Sequence, residues 1–308
     1  AIVGWAACAS AVPLSCYRSE AGGDAAADDA PEPPDPLAGW TQLRSGSTAP
    51  PVDILLMVDS TGSMSMESST PLARFPELIR ELLDPSDASG DGRPDHPPVE
   101  DLHLAVVSAD LGSGGHPVET CEDDPVRGDG GCFQHRPSSS VAACRATYPP
   151  FLSWPSAYTG DDAADELAHD LTCIGTLGTG GCGFEQPLES VKRALTENLG
   201  TGMCNEGFLR PDSLLVLIFV TDEDDCSVEP DRSELFDPER DDLGPLNLRC
   251  FLHPDAITPV EEYVAAFRAL RPGRPERLVV GMIVGVPPDA PSCSGPGSGL
   301  DGCLDVPA

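Results

Sequence analysis

The sequence predicts an α/β protein of three layers, in which a doubly wound, mostly parallel central sheet is flanked by helices. The first observation is that two segments, 52–58 and 213–220, are almost entirely apolar, as strands covered by helices on both faces must be. The second is that apolar residues recur at helical spacing in the stretches between strands. Alternating strands and helices are typical of a parallel sheet built from crossover units.

The first half of the predicted domain rests on three kinds of pattern. The run VDILLMV predicts a strand at 52–58, and LHLAVVS predicts a second strand at 102–108. Between them, Phe75, Ile79 and Leu82 recur at helical spacing and predict a helix over 71–83. Residues 111–158 are rich in Cys, Gly and Pro and predict a long cysteine-rich loop insertion.

The second half repeats the alternation. The segment DDAADELAHDLTCI predicts a helix at 161–174, and Leu188, Val191 and Leu195 form the apolar stripe of a helix at 185–199. The run SLLVLIFV predicts the buried strand at 213–220. A helix at 259–270 and a final strand at 278–286 complete the predicted domain.

The composition excludes several function classes. Of 308 residues, 40% are apolar, which is enough to build a core, and 51 Asp and Glu against 18 Lys and Arg give a formal net charge of −33. Such a surface repels nucleic acid and anionic lipid headgroups, so we expect no nucleic-acid partner and membrane contact only through a lipid anchor. It attracts divalent cations and basic partners, although acidity that serves only solubility is an open alternative.

The cysteines predict an exported protein. Twelve cysteines without a CxxC motif indicate disulfides formed in an oxidising compartment. Cys16 ends a sequence that resembles a bacterial lipobox, and Cys8 is the competing lipidation site. Without these two, an even number remains that can pair completely, in a pattern the sequence does not fix: Cys121, Cys132, Cys144, Cys173, Cys182, Cys204, Cys226, Cys250, Cys293 and Cys303.

The chain divides into four predicted regions. The uncharged apolar start resembles a signal-peptide core, so 1–16 is predicted as a signal-peptide and lipobox remnant that lacks its true start. Residues 17–50 are rich in Ala, Asp and Pro and predict a flexible acidic tether before the domain at 51–286. The tail at 287–308 contains cysteine but no predicted helix, which leaves open that the chain continues. We expect an outer-membrane lipoprotein of a bacterial cell envelope, or a secreted protein.

Two of the buried strands end in polar turns that could hold a metal. Asp59, Thr61 and Ser63 follow the first strand, and Asp222 follows the strand at 213–220. Because the carboxyl ends of parallel strands meet at one edge of the sheet, we expect these side chains to lie close together. Carboxylate and hydroxyl oxygens suit Mg²⁺ or Ca²⁺. The adjoining Glu223 and Asp224 could tune the site, shape a second cation site or belong to a solvated acidic loop, and Asp225 is expected to be solvated.

These motifs resemble the von Willebrand factor A (vWA) and integrin I domains. DSTGS at 59–63 is similar to the first part of their metal-ion-dependent adhesion site (MIDAS), and VTDEDD, which contains Asp222, is similar to the last part. The resemblance implies that Thr61 and Ser63 contact Mg²⁺ or Ca²⁺ through their hydroxyls, while Asp59 and Asp222 hold it directly or through water. It also implies an open coordination position for an acidic group of a partner.

The middle element departs from the family pattern. The family's threonine loop corresponds here to GGCGFEQPL at 180–188, which places Cys182 where the threonine belongs. A disulfide-bonded sulfur does not bind Mg²⁺, so Thr179 is the alternative hydroxyl ligand. A bridge between Cys182 and Cys226 is conceivable, because both fall at the same predicted edge. The site is then either a weak metal site or a degenerate one.

A second cation signal lies between the first helix and the second strand. In DASGDGRPD, the residues that take the ligand positions of a calcium loop are Asp87, Ser89, Asp91, the backbone of Arg93, and Asp95. The twelfth position is Pro98 in place of the bidentate glutamate. An ordinary Gly- and Asp-rich turn is the equally open alternative.

The function predicted is metal-dependent binding, not catalysis. The chain has no GxSxG elbow and no HExxH motif, so we expect no enzyme. The leading hypothesis is a bacterial surface protein whose metal site adheres to an extracellular or envelope protein or glycan that offers an acidic group. The alternative is a disulfide-stapled structural scaffold of the envelope with a degenerate, non-binding metal site.

Overall fold

The sheet confirms the predicted α/β class. The computed structural model describes residues 7–8, 50–65, 74–88, 90, 92–121 and 124–284. Within these residues, six strands form one sheet in the order β1-β6-β5-β2-β3-β4. β2, β3, β5 and β6 are parallel, whereas the short strands β1 and β4 pair antiparallel at the two edges. The strands are β1 Ala7–Cys8, β2 Val52–Val58, β3 Leu102–Ser108, β4 Leu152–Trp154, β5 Leu214–Thr221 and β6 Leu278–Val284.

Helices cover both faces of the sheet, as a parallel sheet requires. The helices of the described residues are α1 Phe75–Leu83, α2 Ala163–Gly175, α3 Pro187–Leu195, α4 Arg249–Leu252 and α5 Val260–Ala269. α1 and α2 share one hydrophobic core with the side of β2 that carries Ile54 and Leu56. α3 and α5 share the other core with the side that carries Leu55 and Met57. The alternating faces of β2 therefore anchor the two outer layers.

Two helices differ from the predicted bounds, and two short elements were not predicted. The helix predicted at 71–83 begins at Phe75, with Arg74 as its N-cap, and 71–73 lie outside the described residues. The helix predicted at 185–199 is α3 followed by a separate 3₁₀ turn, Glu197–Leu199, and its first turn starts at Pro187. The insertion predicted as loop contains β4, whose three residues are too few to give a strand pattern. The four-residue helix α4 was missed for the same reason.

Four disulfides link segments of the described region. They are Cys121–Cys182, Cys132–Cys204, Cys144–Cys173 and Cys226–Cys250. The conceivable bridge from Cys182 to Cys226 is therefore wrong, because each of these cysteines has a different partner. Cys16, Cys293 and Cys303 lie outside the described residues. Four disulfides indicate folding in an oxidising compartment outside the cytoplasm.

The described part of the chain contains no helix that is both long enough and apolar enough to cross a bilayer.

Candidate metal centre

The candidate site lies at the carboxyl ends of β2 and β5. The two strands are paired in register, with Val58 opposite Val220, so their following residues emerge side by side. The backbone N–H of Asp59 donates to the carbonyl of Val220 at 2.9 Å, which extends the pairing by one step. Asp59 is 1% exposed and thus presents its carboxylate from inside the fold.

A chain of short contacts joins the four residues predicted for the site. Asp59 Oδ1 accepts the backbone N–H of Thr61 at 2.9 Å and its hydroxyl at 2.8 Å. The Oγ1 of Thr61 lies 2.9 Å from the Oγ of Ser63, which in turn donates to Asp222 Oδ1 at 3.0 Å. The turn after β2 and the turn after β5 therefore bring Asp59, Thr61, Ser63 and Asp222 together.

The side chains of this site make more oxygen–oxygen contacts than they have hydroxyl protons to fill them. Three side-chain contacts link Asp59, Thr61, Ser63 and Asp222, but each of the two hydroxyls carries one proton. With both aspartates ionised, one of the three contacts therefore brings two oxygens together without a hydrogen between them. A cation bound by these oxygens would use their lone pairs and remove the deficit, so the residues present fit a hard divalent metal ion.

Thr221 is a residue that the sequence reasoning missed. Its hydroxyl donates to Asp59 Oδ2 at 2.8 Å and accepts the backbone N–H of Glu223 at 3.1 Å. Asp59 is therefore held through both oxygens, one by Thr61 and one by Thr221. The available signal was its place as the last residue of β5, directly before Asp222.

Glu185 is the second missed residue, and it reaches the site from the middle loop. It is 9% exposed and forms an isolated antiparallel bridge with Asp110 beyond the end of β3. Burial raises the pKa of the Glu185 carboxyl to about 7, although hydrogen bonding to its own backbone opposes the shift. The negative charges of Asp59 and Glu223 add to the rise, and an interaction with Thr61 acts against it. The signal was present in GGCGFEQPL, three residues after Cys182.

The middle loop itself is fixed against the turn after β2. The backbone N–H of Gly181 donates to the carbonyl of Ser60 at 2.8 Å, and a Cβ at position 181 would collide with the Ser60 side chain. Cys182 donates its N–H to Asp110 Oδ2 at 3.1 Å, and its sulfur is bonded to Cys121. Thr179 is exposed. The loop therefore reaches the site through Gly181 and Glu185, and its cysteine sulfur is not available as a ligand.

The acidic residues of the turn after β5 have different environments. Glu223 and Asp224 are exposed, and burial together with the charges of Asp222, Asp59 and Asp224 raises the pKa of Glu223. Asp225 is half-buried, and the expectation that it is solvated is wrong. Its Oδ1 accepts the N–H of Leu188 at 2.9 Å and the hydroxyl of Ser227 at 2.8 Å, so it fastens the turn to the start of α3.

Among the residues that the structure describes, no basic side chain forms an ion pair with this group of acids. In the described ranges, none of the ion pairs involves Asp59, Glu185, Asp222 or Glu223. A separate grouping of Cys144, His169 and Cys173 has ligand atoms within 4.8 Å of one another, but its two sulfurs are bonded to each other and do not bind a metal.

The predicted calcium loop is only partly described, because Ser89 and Asp91 lie outside the described residues. Asp87 Oδ2 accepts the N–H of Gly92 at 2.7 Å, and Asp95 Oδ2 accepts the N–H of Ala88 at 3.1 Å. Arg93 is exposed. These carboxylates close the loop on its own backbone, and calcium binding here stays a prediction.

Comparison with known proteins gives little further information. The chain matches no protein-family model and no curated protein sequence. Among solved structures it is similar to proximal thread matrix protein 1 from the mussel byssus, with 12% sequence identity and a TM-score of 0.28. The similarity covers 69% of this chain and 37% of the mussel protein chain, so this chain spans well under two thirds of that protein's length.

Proposed function

We propose that this chain is an exported, disulfide-rich vWA-like domain that binds a divalent cation and uses it to hold a protein or glycan partner. The observation that carries the proposal is the convergence of Asp59, Thr61, Ser63 and Asp222, whose oxygens make three contacts with two hydroxyl protons. These four residues would hold Mg²⁺ or Ca²⁺. The ion would supply a positive charge able to attract an acidic group of the partner.

A second buried aspartate, within β2, supports this reading. Asp53 is fully buried near the start of β2, and its Oδ1 accepts the Nε–H of Arg210 at 2.7 Å. Arg271, also buried, lies 3.9 Å from the Asp53 carboxylate. Burying a carboxylate is costly unless a positive charge accompanies it. Arginines supply the positive charge next to Asp53. Asp59 is instead surrounded by hydroxyls and acids, an arrangement that suits a metal ion.

The site is open on one side to an approaching group. Gly62 and Ser63 are exposed and Asp222 is half-buried, while Asp59 and Thr61 are buried beneath them. A protein or glycan partner would therefore approach the metal ion from the side that carries Ser63 and Asp222. Attachment of the domain to the bacterial surface through a lipid on Cys16, with 17–50 as a tether, belongs to the same proposal.

Calorimetric titration with MgCl₂ and CaCl₂ tests the metal site. We expect Asp222→Ala to weaken cation binding at least about tenfold, since it removes a ligand from a set of few. Asp224→Ala is the matched control, because it removes the same charge from an exposed neighbour and should change affinity less than about threefold. Wild-type protein that gives no binding heat with either ion would contradict the proposal.

The second candidate function is a structural scaffold of the envelope with a degenerate site. It is favoured by one observation, the disulfide-bonded Cys182 at the position of the family's threonine. Partner capture distinguishes the two functions. A metal-dependent binder loses its partner in the presence of a chelator, and a scaffold keeps it.

A further inference from the structure

Glu185 is held in place by two different parts of the chain. Its residue forms a β-bridge with Asp110, and its carbonyl accepts the N–H of Cys226 at 2.8 Å. The next residue, Gln186, donates its N–H to the carbonyl of Ala109 at 3.0 Å. Glu185 therefore sits between the end of β3 and the turn after β5, in a backbone position that leaves little freedom to move away from the site.

When its carboxyl is ionised, the Glu185 side chain adds a further oxygen group to a set that already lacks protons. An interaction with the Thr61 hydroxyl acts to lower the pKa of the Glu185 carboxyl, so the two side chains are neighbours. The Thr61 hydroxyl carries one proton, however, and it already lies 2.8 Å from Asp59 Oδ1. It cannot donate to both carboxylates at once. Glu185 is enclosed with like charges from Asp59 and Glu223 nearby, and none of the ion pairs in the described chain includes it.

We infer that Glu185 is the metal ligand from the middle loop, and that it supplies a carboxylate where the resembling family supplies a hydroxyl. The inference rests on the proposed function. Asp59, Asp222 and Glu185 would then place three carboxylates around one divalent ion. Ca²⁺ accepts six to eight oxygen ligands, whereas Mg²⁺ retains several waters and binds through about one or two protein carboxylates. The site is therefore calcium-selective.

Calorimetric titration of wild type and Glu185→Gln with CaCl₂ and with MgCl₂ tests the inference. We expect wild type to bind Ca²⁺ at least about tenfold more tightly than Mg²⁺. Glu185→Gln should weaken Ca²⁺ binding at least about tenfold and narrow that preference, because glutamine keeps the shape and loses the charge. Glu197→Gln is the control: it removes the same charge from an exposed side chain in the 3₁₀ turn after α3 and should have an effect below about threefold.

Thermal unfolding without metal provides a second readout that a purely structural role would not produce. Glutamine can donate protons to Thr61 or Asp59 and removes repulsion, so Glu185→Gln should raise the melting temperature of the metal-free protein while reducing the rise caused by Ca²⁺. Unchanged Ca²⁺ affinity in Glu185→Gln, together with lost affinity in Asp222→Ala, would overturn the role of Glu185 and leave the proposed function intact. Wild-type protein that binds neither Ca²⁺ nor Mg²⁺ would contradict both the role of Glu185 and the proposed function.

Discussion

At the scale of single residues, the position of Asp59 depends on two threonines that contact opposite oxygens of its carboxylate. Thr61 donates to Oδ1 and Thr221 donates to Oδ2, each at 2.8 Å. Thr221 is also the acceptor for the N–H of Glu223 and so connects the turn after β5 to Asp59. A side chain that orients a metal ligand without touching the metal commonly affects affinity by about 10- to 100-fold.

Thr221→Val should therefore weaken cation binding by about tenfold or more. Valine keeps the shape of threonine, but it leaves Asp59 Oδ2 and the Glu223 N–H without this partner, which should also lower the free energy of unfolding by about 1–3 kcal/mol. Calorimetry and urea denaturation measure the two effects. Thr221→Ser keeps the hydroxyl and should retain affinity; equal losses in the serine and valine variants would show that the hydroxyl is not responsible.

At the scale of elements, the strands with continuous, mostly apolar runs were the most predictable part of the fold. β2 and β3 have the predicted bounds, because seven-residue apolar runs between polar turns leave little ambiguity. β4 was missed because its pairing with β3, which matches Leu152 to Leu104, is a tertiary contact that three residues cannot signal. The alternation of strands and helices was sufficient to predict the layers, while short edge elements depend on contacts that are distant in sequence.

The candidate site was predictable to the extent that its residues follow strand ends. Asp59, Thr61, Ser63 and Asp222 come together because β2 and β5 are neighbours in the sheet. Glu185 was not predicted, because its position depends on a β-bridge to Asp110 and on the Cys121–Cys182 disulfide, and neither pairing can be derived from spacing.

The Cys121–Cys182 disulfide gives a prediction at this scale. It ties the insertion to the middle loop that presents Glu185, so the double substitution Cys121→Ser and Cys182→Ser should weaken cation binding by at least about tenfold. Cys132→Ser with Cys204→Ser is the matched control. The two bridges span 61 and 72 residues, so removing either one should lower the free energy of unfolding by about 4 kcal/mol through chain entropy. The control variant should keep the cation affinity of the wild type.

Circular dichroism in denaturant measures the stability of both double variants, and calorimetry on the folded protein measures affinity. If both variants lose affinity to the same extent, the Cys121–Cys182 bridge acts only through global stability.

At the scale of the whole molecule, charge is the dominant property. The net charge of −33 opposes compaction through self-repulsion, and it also concentrates cations around the fold. Two buried aspartates, one within β2 and one directly after it, show how the chain separates its charges. Arginines accompany Asp53 at one end, and at the other end Asp59 lies among hydroxyls and acids. General salt and a specific cation should therefore stabilise the protein by separable mechanisms.

Melting temperatures in NaCl and CaCl₂ at matched ionic strength separate these mechanisms. Raising NaCl from about 0.01 M to about 0.15 M shortens the screening length from about 30 Å to about 8 Å and should raise the melting temperature of every variant, since it weakens self-repulsion. CaCl₂ at about 100 times its Kd should add about 2.7 kcal/mol beyond this in wild type, because binding favours the folded state. Asp222→Ala should keep the NaCl response and lose at least about half of the calcium increment, since binding that is tenfold weaker leaves about 1.4 kcal/mol. Identical curves for the two salts in wild type would mean that the acidic surface binds cations only as a diffuse atmosphere and that the turn at Asp59 holds none.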